Sequence, residues 1–145
     1  MMDVKEFLQE VRRQGAKVKT TEESLNRLYY EATHLSSPIL GDKVQTSHQP
    51  SLDDVLIRIE KARDDYFARY VRLLDMQREA ERIISSERDP IRYTVLHRRY
   101  ILRERWEKIA AELHYSIQHI FRLHEEALND IKNIRVNESF FCGNI

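Results

Sequence analysis

The sequence is poor in the residues that make turns and crosslinks: its 145 positions include three glycines, three prolines and one cysteine. Average proteins carry roughly 7% glycine and 5% proline, so the shortage argues against a turn-rich all-β fold and against glycine-rich phosphate loops. Cys142 stands alone, so neither an intrachain disulfide nor a cysteine-based zinc cluster can form within the chain. That usage fits a reducing compartment. No apolar run approaches the roughly 18 to 20 residues that span a bilayer, and Met1–Lys5 does not lead into the apolar core of a signal peptide. The expected location is the cytoplasm, with no membrane partner. Excess charge is missing too, since 24 Lys and Arg balance 24 Asp and Glu. With 33% charged and 41% hydrophobic residues the chain is expected to fold, as one ordinary domain or two small modules.

What is present is helical period. Val4, Phe7, Val11, Gln14, Val18, Thr21, Leu25, Leu28, Ala32 and Leu35 alternate steps of three and four. This predicts one long helix. Gly15, which disfavours helix by about 1 kcal/mol relative to alanine, and the Lys19–Thr21 stretch leave two shorter helices open. Ser36, Ser37, Pro38, Gly41, Ser47 and Pro50 mark a connection over about 36–50, because proline disfavours helix at the residue before it. Ser51 can cap a second helix, with Asp53 and Asp54 in its first turn against the positive end of the helix dipole. Its stripe runs Leu52, Val55, Leu56, Ile59, Ala62, Tyr66, Tyr70, Leu73, Met76, Ala80, Ile83 and Ile84. Tyr66, Tyr70 and Met76 are expected in the packing and not at a cofactor. Two stripes of about 32 residues, each roughly 48 Å long, are buried most economically as an antiparallel, coiled-coil-like hairpin over residues 1–88. A narrow stripe leaves room for a cover, either the C-terminal module or a second copy of the chain, so a homodimer through the N-terminal helices is one expectation.

Asp89 and Pro90 open a different texture, since proline suits the first turn of a helix and Asp89 can cap it. Ile91, Val95, Leu96, Tyr100 and Ile101 make one helix of about three turns. Trp106, Ile109, Ala110 and Leu113 make a second; Ile117, Ile120, Phe121, Leu123, Ala127, Leu128 and Ile131 make a third. Residues 134–145 form a tail without usable period, which is consistent with disorder. Residues 106–124 have helix-turn-helix spacing. Ala110 is small where two helices cross, the turn follows at His114, and Ile120 can plug the angle from the second helix. Ile109, Leu113 and Leu123 supply the rest of the shared core, with Trp106 packed on the pair. Ser116 is placed to cap the second helix through the N–H of Gln118 or His119. The turn asks for positive φ at His114, where glycine is usual and histidine is strained.

The run from Pro90 to Ile131 contains Val95-Leu-His-Arg-Arg-Tyr100, Trp106-Glu-Lys-Ile-Ala110 and Ile120-Phe-Arg-Leu-His124-Glu-Glu-Ala-Leu128. It resembles region 4 of sigma-70-type factors. Over about residues 4–132 the chain resembles the small prophage proteins of the DUF1492 and ArpU-like type. Those combine a long N-terminal helical segment, a loop similar to Val44-Gln-Thr-Ser47 and a region-4-like motif with a Tyr-Ser turn. The resemblance implies a phage or prophage transcription regulator acting on promoter DNA or on RNA polymerase. The expected fold is all-α: a long helical hairpin over 1–88, a helix-turn-helix DNA-binding module over 89–133 and a tail over 134–145.

In a helix-turn-helix the early residues of the second helix meet base edges of double-stranded DNA, which makes Gln118, His119 and Arg122 the candidates for readout. Arg98, Arg99, Arg103, Arg105, Lys108 and Ser116 are the candidates for phosphate contacts. Residues 90–133 hold eight Lys or Arg against six Asp or Glu, a shallow excess. It predicts weak, salt-sensitive binding by the module alone, multiplied by dimerisation or attachment to polymerase. An enzyme would have to use the histidines. His114, His119 and His124 are five apart, so each is turned about 140° from the last on a helix and they cannot share one metal. His-Glu-x-x-His, a nucleophile elbow and paired cysteines are missing, so no catalytic residue, metal or cofactor is expected. The rival reading is a helical adaptor, as in phage packaging or assembly, that packs on a protein and never touches nucleic acid.

Overall fold

A computed structural model describes residues 1–36 and 51–139. Its elements are α1 (Val4–Ser36), α2 (Leu52–Ile84), α3 (Pro90–Leu96), a π-helical turn (His97–Ile101), α4 (Trp106–Leu113) and α5 (Ile117–Ile131). The fold is all-α, and the described residues contain no strand. The Val44–Ser47 loop and Cys142 lie outside the described residues.

α1 runs unbroken for 33 residues, so the heptad phase carries through Gly15 and the threonines, and the alternative of two shorter helices falls away. Thr21 Oγ1 donates to the Lys17 carbonyl at 2.9 Å, which quiets a polar side chain inside the helix. α2 starts where its signals stand: Asp54 N–H donates to Ser51 Oγ at 3.2 Å while Ser51 N–H donates back to Asp54 Oδ2 at 3.3 Å. This reciprocal pair is a capping box with aspartate in the glutamate place.

The two long helices divide between two compact units. One is Lys17–Tyr70; the other joins Met1–Ala16 to the chain from Val71 onward. In the first, Leu25, Val55 and Ile59 are buried, with Leu28, Ala32, Leu35, Ala62 and Tyr66 packed against them. Arg58 faces Glu31 at 4.0 Å, and the Glu22 charge acts on Tyr66, so here α1 and α2 run antiparallel. Leu52, Leu56 and Tyr70 belong to the expected stripe but are exposed, Leu56 by 50%. The stripe expected on α2 was wider than a single facing helix can cover. Tyr70 instead stacks on Tyr66 with centroids 5.8 Å apart.

In the second unit Val4, Phe7, Leu8 and Val11 of α1 meet Met76, Ala80, Ile83 and Ile84 of α2. Leu96, Tyr100, Ala127, Leu128, Ile131 and Val136 complete that core. The compact unit therefore does not begin at Asp89, as the composition suggested. The apolar side chains of residues 4–11 of α1 and 76–84 of α2 are buried together with the C-terminal helices. Leu8, which the heptad pattern left out, is fully buried because more than one neighbour covers α1 here.

Residues 134–139 do not behave as a loose tail. Val136 is buried, and Asn137 N–H donates to Glu79 Oε1 at 2.8 Å. Glu79 is itself buried and held by Arg82, whose Nη2 also donates to the Arg135 carbonyl at 2.8 Å. The hydrogen bond from Arg82 comes first among the causes that keep the Glu79 carboxyl below its ordinary range. A partner 58 residues away in sequence leaves no trace in local periodicity.

Gly15 has a packing reason. A Cβ at that position would lie 2.5 Å from Arg103 Cδ and 3.0 Å from its Nε. The arginine stem thus lies flat on the helix where no side chain stands in its way. Gly15→Ala in an Arg103→Ala background should raise stability by about 1 kcal/mol through helix propensity alone, and by clearly less with Arg103 in place. Urea melts of the four proteins in this cycle check it; equal gains in both backgrounds would remove the packing reason.

Candidate nucleic-acid interface

α4 and α5 are joined by the three residues His114–Ser116. His114 has φ 59° and ψ 39°, the left-handed conformation expected of it. Its N–H reaches the Ala111 carbonyl at 3.4 Å and Tyr115 N–H reaches the Ala110 carbonyl at 3.0 Å. That pair of bonds is a Schellman ending, so the last carbonyls of α4 are satisfied although the αL residue is not glycine. Ser116 then caps α5, accepting the His119 N–H at 3.2 Å. Val95, Ile109, Ala110 and Ile120 are buried together at the crossing, with Trp106, Leu113, Ile117 and Leu123 packed against them. These are the side chains expected to pack where the two short helices cross. Phe121, read as part of the apolar stripe, is 44% exposed and stands edge-on to Trp106 at 5.3 Å.

The three candidate readout residues fall on one stretch of surface. Gln118 and Arg122 are exposed and His119 is half-buried. Arg122 Nη2 lies 2.7 Å from His119 Nδ1, and the Tyr115 ring is tilted against the His119 ring with centroids 4.6 Å apart.

The phosphate candidates are scattered among different tasks. Arg98 ion-pairs with Glu104 at 3.0 Å and also with Glu112. Arg99 is half-buried; it donates to the Glu104 carbonyl at 3.1 Å and its guanidinium carbon sits 4.2 Å above the Trp106 ring. Burial, then the Arg12 charge, lowers its pKa from the ordinary arginine value. Arg103 lies on Gly15. Ser116 uses its oxygen as the cap. Arg105 and Lys108 are exposed at the start of α4, with Lys108 3.1 Å from Glu104. Burial pushes the Glu104 carboxyl up, but Lys108 and Arg98 together bring it below its usual value.

The π turn explains much of this arrangement. Leu102 N–H bonds to the His97 carbonyl at 3.1 Å and Glu104 N–H to the Arg98 carbonyl at 2.9 Å, so the helix from Pro90 widens before it ends. The wider turn lets Tyr100 enter the main core while Arg99 and Arg98 reach α4 from the same segment.

At the centre of the module lies a polar pair that the sequence reading missed. Tyr100 Oη and His124 Nε2 are 2.6 Å apart and both residues are buried. Trp106 meets the His124 ring edge-on at 4.7 Å. Burial pushes the Tyr100 hydroxyl up to about 12 and the His124 imidazole down to about 4. Glu125 works against that lowering, whereas Lys5 and Arg99 add to it. Both groups are therefore neutral; with Glu125 Oε1 3.6 Å from Nδ1 favouring the imidazole proton there, the Tyr100 hydroxyl donates a hydrogen bond to Nε2. His124 should make stability depend on pH. Unfolded, it binds a proton near its ordinary 6.5; folded, only near 4. The unfolded chain thus gains the proton first, and stability falls as pH drops from 6.5 toward 4. Glu79 and Glu104, whose carboxyls are lowered, lose their contribution only below the ordinary carboxylate value of 4.5. Thermal midpoints should fall between pH 7 and pH 5, and phenylalanine at both positions (Tyr100→Phe, His124→Phe) should flatten that slope; an unchanged slope would place the titrating group elsewhere.

Among the described residues no group of three or more His, Cys, Asp or Glu is placed to hold a metal ion, and no helix is long and apolar enough to cross a membrane. No curated protein and no solved structure matches the chain. Residues 34–132 match the family described as protein of unknown function (DUF1492), a span that runs from the end of α1 through α5. That match takes in most of the chain, and the protein belongs to the DUF1492 family.

Proposed function

We propose that the protein is a phage or prophage transcription regulator that binds promoter DNA through α4 and α5, as a non-enzymatic cytoplasmic protein. One observation carries the reading: a capped helix following a tight left-handed turn presents Gln118, His119 and Arg122 at its exposed start. In a helix-turn-helix those are the positions that enter the major groove. The likeness to region 4 of sigma-70-type factors points the same way. Arg105, Lys108 and Ser116 are the nearest candidates for the flanking phosphates, and Arg98, Arg99 and Arg103 would have to leave internal contacts to join them. Direct affinity is therefore expected to be low, with RNA polymerase or a second copy of the chain raising the effective concentration.

The engagement of those three arginines also favours a second reading, a helical adaptor that packs on a protein. Exposed apolar side chains on α2, Phe67, Val71 and Leu74 among them, suit it as well.

The two readings separate on fluorescence-polarisation binding to duplexes from the gene's own neighbourhood, at two salt concentrations and with competitor DNA. The regulator should bind selectively, lose affinity as salt rises, and lose about 1–3 kcal/mol on Arg122→Ala with its circular dichroism unchanged. Absence of any binding at about 50 mM salt would exclude direct readout and leave the adaptor.

A further inference from the structure

The hydrogen bond between Arg122 and His119 fixes what each can offer a ligand. A guanidinium has donors only. With Arg122 Nη2 2.7 Å away, His119 Nδ1 is the accepting nitrogen, so the neutral ring carries its proton on Nε2. Tyr115, with its centroid 4.6 Å from the ring, holds the imidazole from another side. The His119 backbone N–H is bound to Ser116 Oγ at 3.2 Å, which seats the residue in the first turn of α5. Both side chains thus present N–H donors alone: the imidazole Nε2–H and the guanidinium N–H groups not used on the ring.

The major-groove edges of the four bases differ in what they accept. Guanine shows two adjacent acceptors, N7 and O6; adenine sets N7 beside an N6 donor, cytosine shows an N4 donor, and thymine one acceptor beside a methyl group. A donor-only pair meets guanine with nothing left unsatisfied, whereas adenine and cytosine set donor against donor. Phosphate also accepts, but Glu125 follows one turn beyond Arg122 on the same face with its side chain 66% exposed. Its carboxylate, shared with Lys5 Nζ at 3.9 Å, disfavours a phosphate there.

We infer that Arg122 and His119 act as one guanine-reading unit, with Arg122 making the base contact and His119 positioning its fork. The inference rests on the DNA-binding reading above. Gln118, which carries both a donor and an acceptor, would suit an adjacent adenine.

The test is selection of the full-length protein on a pool of randomised duplexes, followed by affinity measurements on the enriched sequence. Guanine should be enriched at the position that becomes indifferent in Arg122→Ala. Replacing that guanine with 7-deazaguanine, which lacks the N7 acceptor, should weaken binding about tenfold. Arg122→Lys keeps the charge but not the fork, and His119→Phe keeps the ring on Tyr115 but not the accepting nitrogen. Each should lower guanine enrichment while leaving non-specific binding and its salt dependence in place. Selective binding without guanine at the Arg122-dependent position, or guanine enrichment untouched by both variants, overturns the guanine reader and leaves the DNA-binding reading standing. No binding to any duplex at about 50 mM salt overturns both.

Discussion

The rotation of α5 is the constraint on which the rest of the second unit depends. Ile120, in its first half, closes the small cluster with Val95, Ile109 and Ala110. Ala127, Leu128 and Ile131, in its second half, close the larger one with the first turns of α1 and the end of α2. A helix turns 100° per residue, so a shift of one register would withdraw both sets at once. The rotation that buries Ile120, His124, Ala127, Leu128 and Ile131 is also the one that leaves Gln118, Arg122 and Glu125 outside. Exposure of the candidate readout face is thus a by-product of packing. Its stability is set by the apolar contacts on the opposite side of α5, not by anything at the face itself.

Between the two clusters sits His124, and its neutrality is what makes the joint tolerable. A charged imidazole at 7% exposure would demand a counter-charge, and the nearest carboxylate, Glu125, lies 3.6 Å away on an exposed side chain. Tyr100 supplies a proton donor instead, at 2.6 Å, so both polar atoms are satisfied without charge. The π turn that delivers Tyr100 also delivers Arg99 to Trp106 and Arg98 to Glu104 and Glu112. Cations that appear in the sequence as a basic run are thereby turned inward, toward aromatic faces and carboxylates. A polyanion approaching this module would meet few of them as free charges.

Much of this was legible where structure is dictated locally. Ser51, Asp89 and Ser116 are caps in the sequence and caps in the fold, since a cap is settled by a side chain and amides two or three residues on. His114 could be placed in the left-handed region because the spacing of the two short apolar runs fixes where the chain must reverse. What could not be read depends on partners distant in sequence. Glu79 and Asn137 lie 58 residues apart, Tyr100 and His124 lie 24 apart, and neither pair alters a heptad. Tyr70 was misplaced for the complementary reason: period shows which residues share a face, not how much of that face a neighbour covers. The basic run was legible as charge, but its inward direction was not, because the π turn that sets it has no periodic signature.

The placement of glycine shows how little conformational freedom this module uses. Two non-glycine residues, Arg103 and His114, hold φ of 58° and 59°, and they bracket α4 at its two ends. Each carries strain of roughly 1–2 kcal/mol relative to glycine in that region. Glycine at either place would relieve it but would enlarge the unfolded ensemble, which offsets part of the gain. At position 103 it would also delete the stem that lies on α1. The glycine appears instead across the contact, at Gly15, where a side chain would collide with that stem. Strain is retained in the turn because the arginine there fills space against a neighbouring helix, and the helix gives up propensity to receive it. Freedom is removed on one side of the contact and bulk on the other, so the entry to α4 is set by packing against α1 as well as by the local preference of its own residues.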